Sequence, residues 1–250
     1  RPVGDLVRLM QWPWDLVKAN GVAIESDWSE HHHVAAMLGH VETGCSILGD
    51  DAVFVGEGTV LDPGVVIDAR EGPVWIGSDV RVFANSMLQG PVCVGDGSQV
   101  LPGAIIREST VGEACKVGGE IVSSILHEYS NKQHHGFLGH SYVGAWVNVG
   151  AGTSNSNLKN TYGTVSVPIN GRLVETNEQF VGLFAGDHAK IGINVTFPTG
   201  SVVGFCSSIF RSRSPQFVPS FSWLDEGREE TYDPVRGLEV ARRVRRRRGL

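Results

Sequence analysis

The stretch Val94-Gly95-Asp96-Gly97-Ser98-Gln99-Val100-Leu101-Pro102-Gly103-Ala104-Ile105-Ile106 places an aliphatic residue at every sixth position. With a few slips, the same spacing connects a longer series: Val55, Leu61, Ile67, Ile76, Val82, Leu88, Val94, Val100 and Ile106. This period fits neither the alternation of a simple strand nor the repeat of an α-helix. It is typical of a parallel β-helix, in which each hexapeptide forms one short side of a coil. We predict an all-β hexapeptide-repeat solenoid with the aliphatic series in its core.

The frame of sixes continues beyond this series. A second small or aliphatic residue often comes four positions later, as at Thr59, Ser98 and Ala104, and Glu71-Gly72-Pro73 is an insertion of three residues. After further slips the frame predicts these core positions: Ile125, Asn131, Phe137, Val143, Val149, Ile191, Phe197, Val203 and Ile209.

Three segments are expected from this pattern. Residues 1–44 form a short helix and a linker, and residues 45–210 form the solenoid with a hairpin or loop insertion near 155–180. Residues 211–250 form a C-terminal tail that contains a helix. Because the chain begins at Arg1 rather than at methionine, we interpret it as a piece of a longer protein.

The N-terminal segment carries one helix signal. Pro13 suits a first helical position, and an apolar face predicts a helix over about 12–19 that ends near Asn20-Gly21. The triplet His31-His32-His33 is interpreted as a solvated loop, since three consecutive residues on regular backbone cannot all face one metal ion.

Two further elements have strong local signals. Asn170-Gly171 lies between two β-rich runs, 165–169 and 172–175, which predicts a hairpin. Asp233-Pro234 predicts the start of a helix that continues to about Arg247.

Composition limits the function classes. The net charge is −6 although the C-terminal end is rich in arginine, so the body is acidic and a nucleic-acid partner is not expected. We interpret the arginine run as a solvated helix end. The four cysteines form no Cys-x-x-Cys pair, which favours a reduced, cytoplasmic protein. No apolar run approaches the length of a membrane helix, so we predict a soluble protein.

Polar residues interrupt the aliphatic frame in one region. It comprises Ser130-Asn131-Lys132-Gln133-His134-His135-Gly136-Phe137-Leu138-Gly139-His140 and, one repeat later, Asn148-Val149-Gly150-Ala151-Gly152-Thr153. Titratable groups on the wall of a solenoid are candidates for chemistry, and we expect the functional site here.

The pattern His134-x-x-Phe137-Leu138-Gly139, the run 147–153 and Asn157 resemble the acetyltransferase domain of the bifunctional glucosamine-1-phosphate acetyltransferase / N-acetylglucosamine-1-phosphate uridyltransferase family. The opening Trp12-Pro13-Trp14-Asp15-Leu16-Val17 and the histidine-rich phrase are similar to a sugar nucleotidyltransferase-like branch. The resemblance implies a left-handed β-helix over about 45–210 and a homotrimer. It also implies a nucleotidyltransferase-like domain before this chain.

The resemblance also implies roles for individual residues. His134 falls on the position of the general base, which takes a proton from the sugar amine as it attacks acetyl-CoA. Asn148 and Asn157 fall on positions that contact the sugar substrate. Ala151 and Gly152 fall where the backbone meets the pantetheine arm of the coenzyme. No metal is expected.

Several positions depart from the family pattern. Phe137, on a substrate-binding position, replaces a tyrosine, and Leu101-Pro102-Gly103 replaces an Arg-Pro-Gly that helps to hold the sugar phosphate. Ser123-Ser124 falls where the family has a lysine, and Leu158 replaces a tyrosine. Three basic residues are candidate substitutes as phosphate ligands: Lys132, Lys159 and Arg107.

Two alternatives stay open. His135 and His140 have the spacing of two zinc ligands in trimeric β-helix carbonic anhydrases, with His127 or His188 as a third candidate ligand. The solenoid could instead be a non-catalytic trimerisation or regulatory platform for the preceding domain. In that case His134 would be an ordinary exposed histidine of the solenoid wall.

Overall fold

The computed structural model describes residues 9–30 and 35–250 of the chain. Two helices flank a β-solenoid, α1 (Pro13–Glu30) and α2 (Pro234–Arg247). In chain order the strands are β1 (Ala36–Met37), β2 (His40–Val41), β3 (Ser46–Leu48), β4 (Val53–Val55), β5 (Val60–Leu61), β6 (Val66–Asp68), β7 (Val74–Ile76), β8 (Arg81–Val82), β9 (Met87–Gln89), β10 (Val92–Val94), β11 (Gln99–Val100), β12 (Ile105–Arg107), β13 (Thr110–Val111), β14 (Lys116–Val117), β15 (Glu120–Val122), β16 (Ile125–Leu126), β17 (Asn131–Lys132), β18 (Phe137–Gly139), β19 (Tyr142–Val143), β20 (Asn148–Val149), β21 (Ser154–Asn155), β22 (Ser166–Ile169), β23 (Arg172–Glu175), β24 (Leu183–Ala185), β25 (Lys190–Ile191), β26 (Thr196–Phe197), β27 (Ser201–Val203), β28 (Ser208–Ile209), β29 (Phe217–Val218), β30 (Ser222–Asp225) and β31 (Arg228–Thr231).

The strands stack into three faces of a left-handed parallel β-helix. Face one runs β1-β4-β7-β10-β13-β16-β19-β24-β27-β29, and face two runs β2-β5-β8-β11-β14-β17-β20-β25-β28-β30-β31. Face three contains β3-β6-β9-β12-β15-β18, and β21-β26 form a separate pair. Trp75 pairs with Cys93, three hexapeptides further along the chain, which confirms that three repeats make one coil.

The aliphatic series forms the core, as predicted. All nine positions from Val55 to Ile106 are 0% exposed. Small polar residues inside the coil are hydrogen-bonded: the hydroxyl of Ser98 donates to the Gly112 carbonyl and accepts from the Cys115 N–H. Burial of polar groups is inexpensive only when they have such partners.

The predicted frame is wrong by one residue in the polar region. Ile125, Asn131 and Phe137 are only half-buried, and the side chains that point into the coil are those of the next residues: Leu126, Lys132 and Leu138. The cause is turn length, since only two residues separate β14 from β15 whereas four separate β11 from β12. Val143 and Val149 are buried as predicted.

Helix α1 is longer than predicted. It does not end near Asn20-Gly21, because Asn20 is buried and its side chain accepts from the Thr110 hydroxyl and donates to the Glu108 carbonyl. Gly21 lies next to Pro91, and the helix continues to Glu30. The predicted loop His31-His32-His33 lies outside the described residues.

The hairpin is confirmed: β22 and β23 pair in antiparallel fashion around Asn170 and Gly171. Trp14 of α1 packs against it in a second apolar cluster with Val165, Val167 and Phe184. The Trp14 ring meets that of Phe184 edge-on at 6.2 Å. Helix α1 is therefore fastened to the insertion as well as to the coils.

The solenoid extends beyond the predicted range 45–210 at both ends, with β1 and β2 before it and β29 and β30 after it. Helix α2 forms where predicted, and the Asp233 carboxylate caps it by accepting from the Val235 N–H at 2.8 Å. Within the described residues, neither helix is long and apolar enough to cross a bilayer.

Candidate functional site

Three turns stack at the edge between face two and face three, and we call them the histidine corner: residues 133–136, 150–153 and 192–195. The Gly152 N–H donates to the His135 carbonyl at 3.1 Å, and the Asn194 N–H donates to the Ala151 carbonyl at 2.7 Å. The histidine turn and the Gly-Ala-Gly-Thr turn are therefore direct neighbours.

Glycine is required at this corner by the stacking itself. A Cβ on Gly136, whose φ is 127°, would lie 2.1 Å from the Thr153 carbonyl oxygen. A Cβ on Gly150 would lie 2.3 Å from the Gly192 oxygen, and one on Gly152 would lie 2.0 Å from the Asn194 side chain. The glycines that the resemblance associates with the coenzyme thus have a structural role of their own.

The two histidines of the corner face solvent. Both His134 and His135 are exposed, and in the described part of the chain no side-chain hydrogen bond or ion pair holds the His134 imidazole. Next to them, the Phe137 N–H donates to the Ser154 hydroxyl, which fixes the start of β18. The ring of His134 is accessible to a ligand from outside.

Within the turn 150–153, one peptide N–H has no acceptor among the described residues. The N–H groups of Gly150, Gly152 and Thr153 all donate within the fold, whereas that of Ala151 makes no hydrogen bond among the described residues. Proline occupies the equivalent turn position at Pro63 and Pro102, each also followed by a glycine with positive φ. Ala151 therefore presents a donor that the equivalent prolines lack.

Lys132 does not belong to this surface. It is 1% exposed and lies inside the coil, where its ammonium donates to the carbonyls of Gly118 and His134 at 2.9 Å. Burial lowers the pKa of Lys132 to about 8. Its position contradicts the predicted contact with a substrate phosphate, because the inward register of β17 points the side chain away from solvent.

Asn148 lies on face two beside the corner, in register with Asn131 and Lys190 on the neighbouring strands. Its side chain is exposed to a cavity of about 430 Å³ that helix α2 covers. We call it the α2 cavity, and it is lined by Lys116, Tyr129, Asn131, Gln133, Trp146, Asn148, Lys190, Val240, Val244, Arg247 and Arg248.

The interpretation of the arginine run as a solvated helix end is wrong for one residue, Arg248, whereas the five other arginines of the run are exposed. Arg248 is not a solvated helix end, since its guanidinium donates to the Ala114 carbonyl at 3.0 Å and to the Asn131 side chain at 2.8 Å. These bonds hold the end of α2 on face two. The cavity was not predicted from the sequence. A signal for it was present, because Lys116, Asn148 and Lys190 share one register position on face two, each just before an inward-pointing aliphatic residue.

Asn157 is not brought to the histidine corner. It lies beyond the far end of β18, where its Nδ2 is 2.9 Å from Nδ1 of His140. His140 stacks on Phe180 and lines a cavity of about 500 Å³ between α1 and the solenoid. Burial lowers the pKa of His140, which favours its neutral form. Lys159 is equally distant in the fold and donates to the Thr164 carbonyl within its own loop.

Arg107 and the zinc candidates are also dispersed. Arg107 pairs with Glu120 at 2.5 Å on face three. His135 and His140 lie at opposite ends of β18, while His127 packs against Tyr142 on face one and His188 stacks on Trp146. Among residues 9–30 and 35–250, no three His, Cys, Asp or Glu side chains are grouped to hold a metal ion.

No protein-family model matches the chain, but curated relatives do. The bifunctional protein GlmU of Heliobacterium modesticaldum is 30% identical over 195 residues, which are 69% of this chain and 42% of that protein. A Synechococcus GlmU is 33% identical over 61% of this chain and 32% of its own length. The bifunctional sugar-1-phosphate nucleotidylyltransferase/acetyltransferase of Sulfurisphaera tokodaii is 32% identical over 56% of this chain and 36% of its own length. The resemblance seen in the sequence is confirmed, and the chain spans less than half of these relatives.

Solved structures give weaker matches. AntD, an N-acyltransferase from Bacillus cereus in complex with dTDP and coenzyme A, is 16% identical with a TM-score of 0.27, covering 56% of this chain and 81% of that one. Arabidopsis UDP-N-acetylglucosamine acyltransferase is 14% identical with a TM-score of 0.27, and the match covers 81% of this chain and 75% of that one. Similarities of this size add nothing to the fold described above.

Proposed function

We propose that this chain is a CoA-dependent acyltransferase that moves the acetyl group of acetyl-CoA to the amine of an amino-sugar phosphate or nucleotide sugar. The observation that carries the proposal is the histidine corner. It combines an accessible imidazole on His134, a neighbouring amide on Asn148 and an unpaired N–H on Ala151. The similarity to bifunctional sugar-1-phosphate enzymes supports the same reaction class.

In the proposed mechanism the amine attacks the thioester carbonyl directly. The C–N bond forms as His134 takes the amine proton. The C–S bond then breaks, and the imidazolium of His134 returns the proton to the departing sulfur, so that the coenzyme leaves as its thiol. An imidazole suits both transfers because it titrates near neutrality. The Ala151 N–H is the donor that we assign to the developing oxyanion.

Holding amine and thioester together supplies much of the rate, because it converts a bimolecular step into an effectively unimolecular one. We assign Asn148 to the acceptor sugar, since its side chain opens into the α2 cavity beside the corner. Asn157, Phe137 and Lys159 stay proposals as substrate contacts. Asn157 and Lys159 would have to act from a second region of the surface, because β18 and its loop separate them from His134.

We further propose a homotrimer, which the family resemblance implies, and a preceding nucleotidyltransferase-like domain, by analogy with the longer bifunctional relative from Sulfurisphaera tokodaii. A neighbouring chain could then complete the site at the exposed corner. Sedimentation equilibrium of the purified chain tests the assembly directly: a single species of three times the chain mass is expected, and a monomer at micromolar concentration would contradict it.

Thiol release from acetyl-CoA tests the reaction. Glucosamine-1-phosphate and a panel of amino sugars serve as acceptors for the wild type, His134→Ala and a control, His40→Ala. His40 is exposed on face two far from the corner. We expect turnover with one acceptor, a loss of about 10²–10⁴-fold in His134→Ala and no change in the control.

Absence of turnover with every acceptor, in protein shown to be folded and trimeric, would reject the acetyltransferase proposal. The solenoid would then be a platform for another domain. Turnover that survives in His134→Ala would instead reject this residue as the base.

A further inference from the structure

The α2 cavity carries an inference that rests on the proposed function and deepens it. We propose that the cavity binds the phosphate group of a phosphorylated substrate, through the basic residues that face two and helix α2 contribute together. The phosphate ligands are Lys116, Lys190 and Arg247, and Arg248 lines the cavity as well but positions the helix.

Charge is the first support. Four basic side chains and no acidic side chain line the cavity, whereas the chain as a whole has a net charge of −6. In the described part of the chain, none of the four lies within ion-pair distance of a carboxylate. An anion in the cavity would therefore be attracted by several positive charges and repelled by no carboxylate of the lining.

The state of Lys190 is the second support. Its ammonium donates to the Trp146 carbonyl at 2.6 Å, and burial lowers its pKa to about 8. A half-buried ammonium with only a neutral partner is costly. A phosphate oxygen beside it would stabilise the charged form, which makes Lys190 the residue whose charge should affect binding most strongly.

Shape and position are the third support. Tyr129 and Trp146 stack in parallel at 4.3 Å, and His188 continues the stack on Trp146 at 6.0 Å. Because the stacked rings cover one another's faces, Tyr129 and Trp146 present ring edges to the cavity, and these form an apolar wall against which a sugar or base next to the phosphate can pack. Asn148 opens into the same cavity, and so does Gln133 of the histidine corner, so a ligand whose phosphate lies here could extend towards that corner.

Arg248 has a different role from the other three. Both of its hydrogen bonds go to the solenoid, so it holds α2 in place and acts as a positioning residue. Arg247 and Lys116 are the partly accessible charges at the rim, and Lys190 lies deeper. The phosphate contacts are therefore assigned to Lys116, Lys190 and Arg247.

Isothermal titration calorimetry of the full chain at low salt tests this assignment. The phosphorylated ligands are glucosamine-1-phosphate, 3′,5′-ADP as the phosphate end of the coenzyme, and inorganic phosphate. Glucosamine and adenosine are the unphosphorylated counterparts of the two organic phosphates. The two organic phosphates distinguish an acceptor site from a coenzyme site, and binding of inorganic phosphate alone identifies a bare anion site.

The variants are Lys190→Gln, which keeps a donor for the Trp146 carbonyl, and Lys116→Gln, which alters only the rim. Arg242→Gln on the exposed side of α2 is the matched control. We expect the affinity for one phosphorylated ligand to fall at least tenfold in both lysine variants, to stay constant in the control, and to weaken with added salt.

Three results would overturn the proposal: no binding of any phosphorylated ligand, equal affinity for the unphosphorylated counterparts, or equal affinity in the folded lysine variants. The outcome is independent of turnover. If phosphate binds in a lysine-dependent way but no acetyl group is transferred, the proposed reaction is rejected and the phosphate site is retained. If acetyl transfer occurs without lysine-dependent phosphate binding, the phosphate site is rejected and the proposed reaction is retained.

Discussion

At the scale of single residues, the N–H of Ala151 makes no hydrogen bond within the described fold. A substitution that removes it therefore tests its proposed chemical role without loss of a hydrogen bond that stabilises the fold. Pro63 and Pro102 occupy the equivalent turn position, so proline is compatible with this turn. We expect Ala151→Pro to leave the thermal unfolding temperature nearly unchanged and to lower turnover by about 10²-fold or more, because it removes only the proposed oxyanion donor.

Ala151→Ser is the control, since it keeps the N–H and should retain most of the activity. Turnover and thermal unfolding are measured for both variants. Equal activity of the proline and serine variants would contradict the assignment of this N–H to the oxyanion.

The buried Lys132 predicts an unusual dependence of stability on pH. Below pH 8 the lysine is protonated in both states, and the folded state bears the cost of a buried charge. Between about 8 and 10.5 the folded state loses its proton while the unfolded state keeps it, so stability increases as the pH rises. Across this interval the contribution of Lys132 to the free energy of unfolding becomes more favourable by on the order of 3 kcal/mol.

Lys132→Met isolates this effect because it has a similar length and no charge. Urea unfolding at pH 7 and pH 11 gives the free energy of unfolding of both proteins. We expect the wild type to gain stability relative to the variant across this interval. A constant difference would show that Lys132 keeps an ordinary pKa in the fold.

Residue roles can be proposed from the sequence where a local motif suggests them, as at His134. They could not be predicted for Lys132, because its direction depends on the register of β17. That register follows from the short turn at Gly118 and Gly119, one coil earlier. A shift of one residue in the predicted frame moves each side chain of a strand from the inside of the coil to the outside, or the reverse.

At the scale of elements, the stacked turns of the histidine corner depend on glycine. We expect Gly136→Ala to destabilise the fold by several kcal/mol, because its Cβ would overlap the Thr153 carbonyl. Gly103→Ala is the matched control: it also has positive φ, but nothing lies within 4 Å of its Cβ, so its cost should be about 1 kcal/mol.

Chemical denaturation of both variants measures the difference. Similar losses would mean that the backbone of the corner moves apart to accept a methyl group, and that the tight stacking of the turns is not needed for stability.

Elements with strong local signals were predictable. The hairpin and α2 form where Asn170-Gly171 and Asp233-Pro234 indicate, since turn and cap chemistry act over a few residues. The end of α1 was not predictable. Asn20 would be a stop signal in isolation, but its bonds to Thr110 and Glu108, far along the chain, override that preference.

At the scale of the whole molecule, α1 braces coils that are distant in sequence. Asn20 bonds the coil of Thr110, Lys18 pairs with Glu178, and Trp14 packs on Phe184. Trp14 is 5% exposed, so we expect Trp14→Ala to lower the free energy of unfolding by about 3–5 kcal/mol.

The exposed Val22, on the same helix, serves as the control, and Val22→Ala should change stability by less than about 0.5 kcal/mol. Urea titration followed by far-ultraviolet circular dichroism gives both values. A small effect of Trp14→Ala would show that the solenoid does not depend on this brace.

The solenoid and its aliphatic core follow from the repeat, because each coil contacts mainly its neighbours. The α2 cavity does not, because it forms only when the tail folds back and Arg248 reaches Ala114 and Asn131. No periodicity in the sequence encodes a contact between residues so far apart. The candidate corner was therefore predictable, and the surface that completes it was not.

Strand β31 ends face two with an antiparallel pairing on β30, in contrast to the parallel pairings below it. Its residues Arg228, Glu229 and Glu230 are exposed and charged. An open parallel edge would be a template on which a second solenoid could continue the sheet, and a charged, reversed strand is a poor template. The last strand thus opposes growth into filaments, and replacing its glutamates with valine should make the purified protein polymerise end to end.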